Sequence, residues 1–499
     1  MMKPKIMYPM KNNRKRESSL RITLGRRLVQ TGFLLLFLFP WLPVLIAQFS
    51  GKDLTPYTSW LLPFDALANI AKGLHGDFPW IVIGSTFFIL TGSWVFGRAF
   101  CGWICPLGTI LDWIRPLAFW QKRPTVHPTN RNSRVRFYLL VILLTASFLS
   151  LQFIGWFDPL VIFNRAASAL IHDLVLFDLS NLRLVPFIVS FIFLIILTLE
   201  LYKPRFWCRN ICPFGALISL PARFSRLNRR VSNVCTYCGE CRNVCPMGAI
   251  GAEPHDTRYM DCTFCLECEA ACPNEGIHFE FGQTASQKWQ KDFLVKKEER
   301  VPGGFYSASA QTRDPIMTRR QAIETLITGG IGLAAAPAIA LITPRNSPVR
   351  PPGALPEARF LQTCILCQEC VRICPSKTLR PAFLEGGVTS IGTPILTPRQ
   401  GACSFVAGCP QLCAQACPVG AIRPIAVADM KVGIARVDHK ACLAWDQGEK
   451  CLVCVEACLS DAAKSINGRI IIDAEKCTGC GRCESGCPVA GSAIRVYPL

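Results

Sequence analysis

One spacing, C-x2-C-x2-C-x3-C-P, occurs four times in this chain. The first copy is Cys235, Cys238, Cys241 and Cys245 before Pro246, and the second is Cys262, Cys265, Cys268 and Cys272 before Pro273. The third is Cys364, Cys367, Cys370 and Cys374 before Pro375, and the last is Cys477, Cys480, Cys483 and Cys487 before Pro488. Two looser blocks stand between the third and the last: Cys403, Cys409, Cys413 and Cys417, then Cys442, Cys451, Cys454 and Cys458. Together the six blocks hold 24 of the 28 cysteines in the chain.

Thiolates in this pattern suit the [4Fe–4S] cubane, where three cysteines of a run hold one cluster and the fourth reaches a neighbouring one. Six [4Fe–4S] clusters are therefore expected, spaced for one-electron transfer. Disulfide scaffolds are small and irregularly spaced. Structural zinc favours paired C-x2-C knuckles set far apart, which leaves it as the alternative mainly for the two loose blocks. For the first two blocks the spacing rule pairs Cys235, Cys238 and Cys241 with Cys272, and Cys262, Cys265 and Cys268 with Cys245.

The remaining four cysteines form two C-x3-C-P pairs, Cys101 and Cys105 before Pro106, and Cys208 and Cys212 before Pro213. The runs Cys101–Ile110 and Cys208–Leu217 align, so residues 28–120 and 137–220 read as two copies of one unit. Packed side by side, the copies would gather four thiols into a possible seventh iron–sulfur centre. Buried reduced thiols are the plainer alternative. Each proline suits the first turn of a following helix, whose free N–H groups would bond cluster sulfur.

Composition points to a membrane. Hydrophobic residues make up 51% of the chain and the mean hydropathy is +0.30. Four apolar runs, Leu28–Ala47, Trp80–Phe96, Phe137–Ile154 and Leu184–Leu201, read as spans. The formal charge of +20 clusters beside them, which fits the positive-inside rule and argues against nucleic-acid binding. The expected fold is an α-helical membrane bundle of four spans plus a fifth linking span, carrying two α+β ferredoxin-like [4Fe–4S] domains. The expected organisation is a basic N-terminus (1–27), a four-span domain (28–230), a two-cluster ferredoxin domain (231–282), a linker (283–318), a twin-arginine-like segment (319–344), a Pro-rich linker (345–358) and a four-cluster domain (359–499). Arg319-Arg320 before an apolar stretch reads as an export signal, with Ala338-Ile339-Ala340 as a cleavage site. A buried or amphipathic helix is the alternative there. On this reading the chain is a multi-pass inner-membrane protein, with 231–318 cytoplasmic and 345–499 periplasmic. None of the six histidines falls inside an expected span, so a bis-histidine haem is not expected. No P-loop and no strand-flanked G-x-G-x-x-G is present.

These residues resemble two known families. Residues 1–282 look like the NapH/MauN ferredoxin-type membrane proteins, and residues 318–499 like the NapG/MauM ferredoxin-type proteins. The resemblance implies a fusion of both partners, a polyferredoxin of quinol dehydrogenase type that takes electrons from quinol in the membrane and delivers them to a periplasmic cytochrome c or reductase. No substrate-converting site of its own is visible. An accessory or maturation protein serving a partner metalloenzyme is the second reading. The resemblance also implies that outer blocks pair with outer and inner with inner: Cys364, Cys367 and Cys370 with Cys487; Cys477, Cys480 and Cys483 with Cys374; Cys403, Cys409 and Cys413 with Cys458; Cys442, Cys451 and Cys454 with Cys417.

Overall fold

A computed structural model describes residues 13–39, 42, 62–73, 80–117, 134–148, 152–176, 184–232, 234–282, 330 and 347–499. The basic residues 1–12, the linker 283–318 and nearly all of the twin-arginine segment 319–344 lie outside the described residues.

The apolar runs do form helices: Asn13–Leu38, Trp80–Phe96, Val135–Phe148 and Leu184–Tyr202. The expectation of a membrane bundle is nevertheless overturned. Among the described residues, no helix is long and apolar enough to cross a membrane. Trp80–Phe96 has 17 residues. At 1.5 Å per residue it falls short of a hydrocarbon core of about 30 Å. Val135–Phe148 is shorter still, with 14 residues. Asn13–Leu38 contains Arg14, Lys15, Arg16, Glu17, Arg21, Arg26 and Arg27. In Leu184–Tyr202 the described side chains begin at Ser190. The fifth stretch lies outside the described residues. The multi-pass inner-membrane placement, and the cytoplasmic and periplasmic sides assigned from it, go with the bundle.

The chain divides into two compact units. The first comprises Met1–Leu36, Phe87–Arg136 and Ile196–Pro315. Its ferredoxin-like part closes where β1 (Leu227–Val231) pairs antiparallel with β2 (Ile277–Phe281), from Leu227 opposite Phe281 to Val231 opposite Ile277. Two short cysteine-bearing helices, Glu240–Val244 and Glu267–Ala270, pack beside this ribbon. The core there is small: Cys241, Ile250, Cys268 and Ile277, flanked by Val231, Val244 and Phe279. In the same unit, helices Pro106–Ile114 and Pro213–Ala222 each begin at the proline of a C-x3-C-P pair, as the sequence predicts.

The second unit comprises Phe37–Thr86, Phe137–Ile195 and Ile316–Leu499. Six short strands form three antiparallel ribbons: β3 (Leu379–Pro381) with β4 (Pro394–Leu396), β5 (Ile434–Val437) with β8 (Ile494–Tyr497), and β6 (Ala463–Ile466) with β7 (Arg469–Ile472). The crossover from β5 to β8 brackets the last two cysteine blocks around Ala435, Ala462, Cys477 and Ile494. Helices outside the cysteine-rich part of this unit include Ala66–Gly73 and Pro159–Leu176. Each is capped by an aspartate: Asp65 Oδ1 accepts from Leu67 and Ala68 N–H, and Asp158 Oδ1 from Leu160 and Val161 N–H.

Candidate iron–sulfur centres

The four regular blocks share one backbone device. The residues on either side of the second cysteine take left-handed conformations: Tyr237 and Gly239, Phe264 and Leu266, Leu366 and Gln368, Gly479 and Gly481. Five of these eight carry side chains that disfavour this region by about 1–2 kcal/mol each. The strain curls the loop so that the first three thiols of a block face one centre. In the looser fourth block the left-handed residues are Gly408 and Gln411, displaced around the longer Cys409-x3-Cys413 spacing.

The fourth thiol comes from the partner block. Cys235, Cys238, Cys241 and Cys272 line one cavity. Cys477, Cys480, Cys483 and Cys458 line another, and Cys442, Cys451, Cys454 and Cys487 a third. The other three sets follow from proximity. Cys245 bears on Cys262, Cys265 and Cys268. Cys417 bears on Cys364, Cys367 and Cys370, and Cys374 on Cys403 and Cys413.

The first two blocks thus exchange cysteines as the spacing rule predicts. In the C-terminal part the outer-with-outer pairing implied by resemblance does not hold. Cys487 closes the cage of Cys442, Cys451 and Cys454, and Cys374 closes that of Cys403, Cys409 and Cys413. Block three pairs with four and block five with six, because the β5–β8 ribbon folds the last two blocks onto each other.

Backbone amides meet several of the bridging sulfurs. Ala249 N–H donates to Cys245 Sγ at 3.3 Å, Gly276 N–H to Cys272 Sγ at 3.3 Å and Ala493 N–H to Cys487 Sγ at 3.4 Å. Burial pushes the Cys364 thiol up to about 12, with Cys417 adding to it, and burial pushes Cys454 up to about 11, with Cys442 adding to it. Thiols of this kind are protonated at neutral pH, so a metal that binds them must displace protons. All 28 cysteines are free of disulfides. Among the described residues, no three His, Cys, Asp or Glu side chains close around a single metal ion. Four thiols lining one cavity instead suit a group that takes several thiolates at once, such as a cubane.

The C-x3-C-P pairs also converge. Cys101, Cys105, Cys208 and Cys212 are all buried, and each acts electrostatically on others of the set. Two arginines that the sequence reading passed over hold them in a two-fold pattern. Arg98 Nη2 lies 3.4 Å from the Cys208 carbonyl and 4.0 Å from Cys101 Sγ. Arg205 Nη1 lies 3.0 Å from the Cys101 carbonyl and 3.9 Å from Cys208 Sγ. Each arginine stands three residues before its cysteine, which was the available signal. Two glycines make room for them. A Cβ on Gly108 would lie 2.8 Å from Arg205 Nη1, and one on Gly215 2.6 Å from Arg98 Nη2. Arg205 is anchored by Asp112 at 2.7 and 3.1 Å. Burial opposes ionisation of Asp112, but Arg205 and Arg26 hold its carboxyl below the usual range.

The second ferredoxin loop sits against this four-thiol site. Trp103 Nε1 donates to the Phe264 carbonyl at 2.9 Å, and a Cβ on Gly102 would lie 2.5 Å from the Thr263 carbonyl. Arg26 links the same loop to Asp112 through the Cys265 carbonyl and Glu267.

Comparison with known proteins agrees with this chemistry. A 4Fe-4S binding domain matches residues 77–124 and 185–232, which contain the two C-x3-C-P pairs, and a 4Fe-4S dicluster domain matches 227–273. Further 4Fe-4S binding domains match 361–378 and 468–489. The methylamine utilization ferredoxin-type protein MauM of Paracoccus denitrificans is 38% identical over 200 residues, 37% of this chain and 87% of its own. The ferredoxin-type protein NapG of Escherichia coli is 35% identical over 211 residues, 38% of this chain and 90% of its own. The chain belongs to the MauM/NapG ferredoxin-type family. It is also 29% identical over 245 residues to the methylamine utilization ferredoxin-type protein MauN of Methylobacillus flagellatus, 44% of this chain and 74% of the relative. No solved structure matches. The chain is thus an iron–sulfur electron-transfer protein that carries several [4Fe–4S] clusters.

Proposed function

We propose that the chain joins a MauN-like and a MauM-like part, each carrying its own relay of [4Fe–4S] clusters, six in all, with a seventh iron–sulfur centre at Cys101, Cys105, Cys208 and Cys212. The observation that carries this reading is the set of cages itself, each with three thiols from one block and a fourth from its partner. The cages also adjoin. In the first unit, Cys268 lies near Cys241, and the loop of Cys262–Cys268 rests on the residues between Cys101 and Cys105. In the second unit, Cys370 lies near Cys413, Cys403 N–H donates to the Cys480 carbonyl at 2.9 Å, and Cys483 lies near Cys454. The relay there runs from the cage of block three to four, then to six, and ends at five.

In this role the protein binds clusters, separates them from water and sets their potentials through buried thiolates, backbone N–H groups and arginines. The clusters supply reversible one-electron chemistry. By family resemblance the donor is a quinol and the acceptor a cytochrome c or terminal reductase. The test is anaerobic purification, iron and acid-labile sulfide analysis, and EPR after adding a short-chain quinol or dithionite. Growth of reduced-cluster signals with quinol supports the relay. Signals that appear only with dithionite favour the accessory reading, and zinc in place of iron removes the proposal.

A further inference from the structure

A buried guanidinium faces the cage of Cys364, Cys367, Cys370 and Cys417, and a buried ammonium from a separate stretch of the chain bonds the backbone beside it. Lys72, 8% exposed, donates from Nζ to the Val419 carbonyl at 2.6 Å, two residues past Cys417. Arg165, 3% exposed, faces the Cys364 and Cys367 thiols, with its guanidinium 4.4 Å from the centre of the Trp156 ring. Its Nε and Nη2 meet no acceptor among the described residues. The nearby carboxylate is already engaged, since Glu369 accepts from Asn164 at 2.6 Å and pairs with Arg372. A guanidinium this dry is strongly unfavourable without an anion beside it.

The placement follows a repeat. Phe64-Asp65 and Phe157-Asp158 each open a helix, and Lys72 and Arg165 each stand seven residues after the capping aspartate. Seven residues is about two helical turns, so each cation lies on the same face as its cap. The loop between Cys364 and Cys367 is seated on this part of the unit. A Cβ on Gly155 would lie 2.2 Å from the Ile365 carbonyl.

We propose that Lys72 and Arg165 form a built-in counter-charge for the cluster in this cage and hold its reduction potential up. The inference rests on the reading of these four thiols as cluster ligands. Lys72 and Arg165 would offset the negative charge that a cluster held here would gain on accepting one electron from a cluster held by Cys374, Cys403, Cys409 and Cys413. No bond forms or breaks and no proton is needed, because the added negative charge meets two fixed positive ones.

The full-length protein and its Arg165→Gln, Arg165→Lys and Lys72→Met variants would be purified anaerobically, assayed for iron and sulfide, and titrated with dithionite under EPR. In Arg165→Gln the equilibrium for reducing one cluster falls about tenfold, a downward shift of about 59 mV for a one-electron couple. The other clusters keep their potentials, Arg165→Lys recovers most of the loss, and Lys72→Met shifts the same cluster downward. Fully loaded Arg165→Gln protein with every midpoint unchanged overturns the inference. If Arg165→Gln does not load, an unchanged midpoint in Lys72→Met overturns it. A Cys367→Ser variant separates the two levels: if it keeps all its cluster signals, the ligand reading has failed and the inference falls with it.

Discussion

At the scale of single residues, the least visible members of a cage are its fourth thiol and the charges beside it. Cys458 and Cys374 have similar local surroundings, yet Cys458 lines the cavity of Cys477, Cys480 and Cys483, and Cys374 faces Cys403 and Cys413. Cys458→Ser is therefore expected to abolish the cluster of the last block while Cys374→Ser leaves it intact, read by EPR and iron content. Gly215 supplies a second prediction. A methyl group there would meet Arg98 Nη2 at 2.6 Å and Cys212 Sγ at 3.4 Å. Gly215→Ala should cost about 1–3 kcal/mol, the usual scale for overpacking, measured by denaturant unfolding. Spacing alone made the first three ligands of each regular block legible. It gave Arg98, Arg205, Lys72 and Arg165 no role at a site, because spacing along the chain does not report which side chains fold against a thiol.

At the scale of elements, the C-x3-C-P prolines marked two helix starts correctly, and the short strands around the cysteine blocks follow from turn-rich sequence. The apolar runs misled. Their positions as helices were readable, but hydrophobicity within a run does not report how many residues the helix retains. The aspartate-capped helices allow a test of pH dependence. Asp65 and Asp158 are fully buried, each has an Oδ2 without a donor, and the two carboxyls bear on each other. A single proton shared between the two carboxyls would satisfy both orphan oxygens. Burial raises the proton affinity of each, and the Asp65 carboxyl raises that of Asp158 further, well above the ordinary value of 3.8. A carboxyl whose folded pKa lies above its unfolded one stabilises the fold at low pH, and that contribution fades as pH rises through the folded value. Asp158→Asn, which keeps an oxygen for the cap and removes the charge, should flatten the loss of stability between acidic and neutral pH. Urea midpoints at several pH values would show it, and an unchanged slope would sink it.

At the scale of the whole molecule, the ferredoxin-like parts have little apolar core. The first is centred on Cys241, Ile250, Cys268 and Ile277, and half of that cluster is cysteine. Cores this small seldom suffice without a metal or cross-link. Removing iron with a chelator under reducing conditions should therefore unfold these parts, with loss of β-ribbon circular dichroism and a lower melting temperature. Retention of the native spectrum in iron-free protein would contradict this. The adjacency of cages gives a further expectation. Cys483→Ser, which removes the cluster between cages four and five, should slow electron passage through the second unit far more than Cys451→Ser, which removes only the terminal one. Pulse-radiolysis kinetics would separate the two.

The exchange of fourth thiols between partner blocks also sets a timetable for biosynthesis. Emerging from the ribosome, Cys364, Cys367 and Cys370 wait for Cys417, and Cys442, Cys451 and Cys454 wait for Cys487. A nascent chain halted before the fourth thiol carries an open three-thiol cup, so insertion of iron and sulfide into that cup cannot be completed until the partner block has been made.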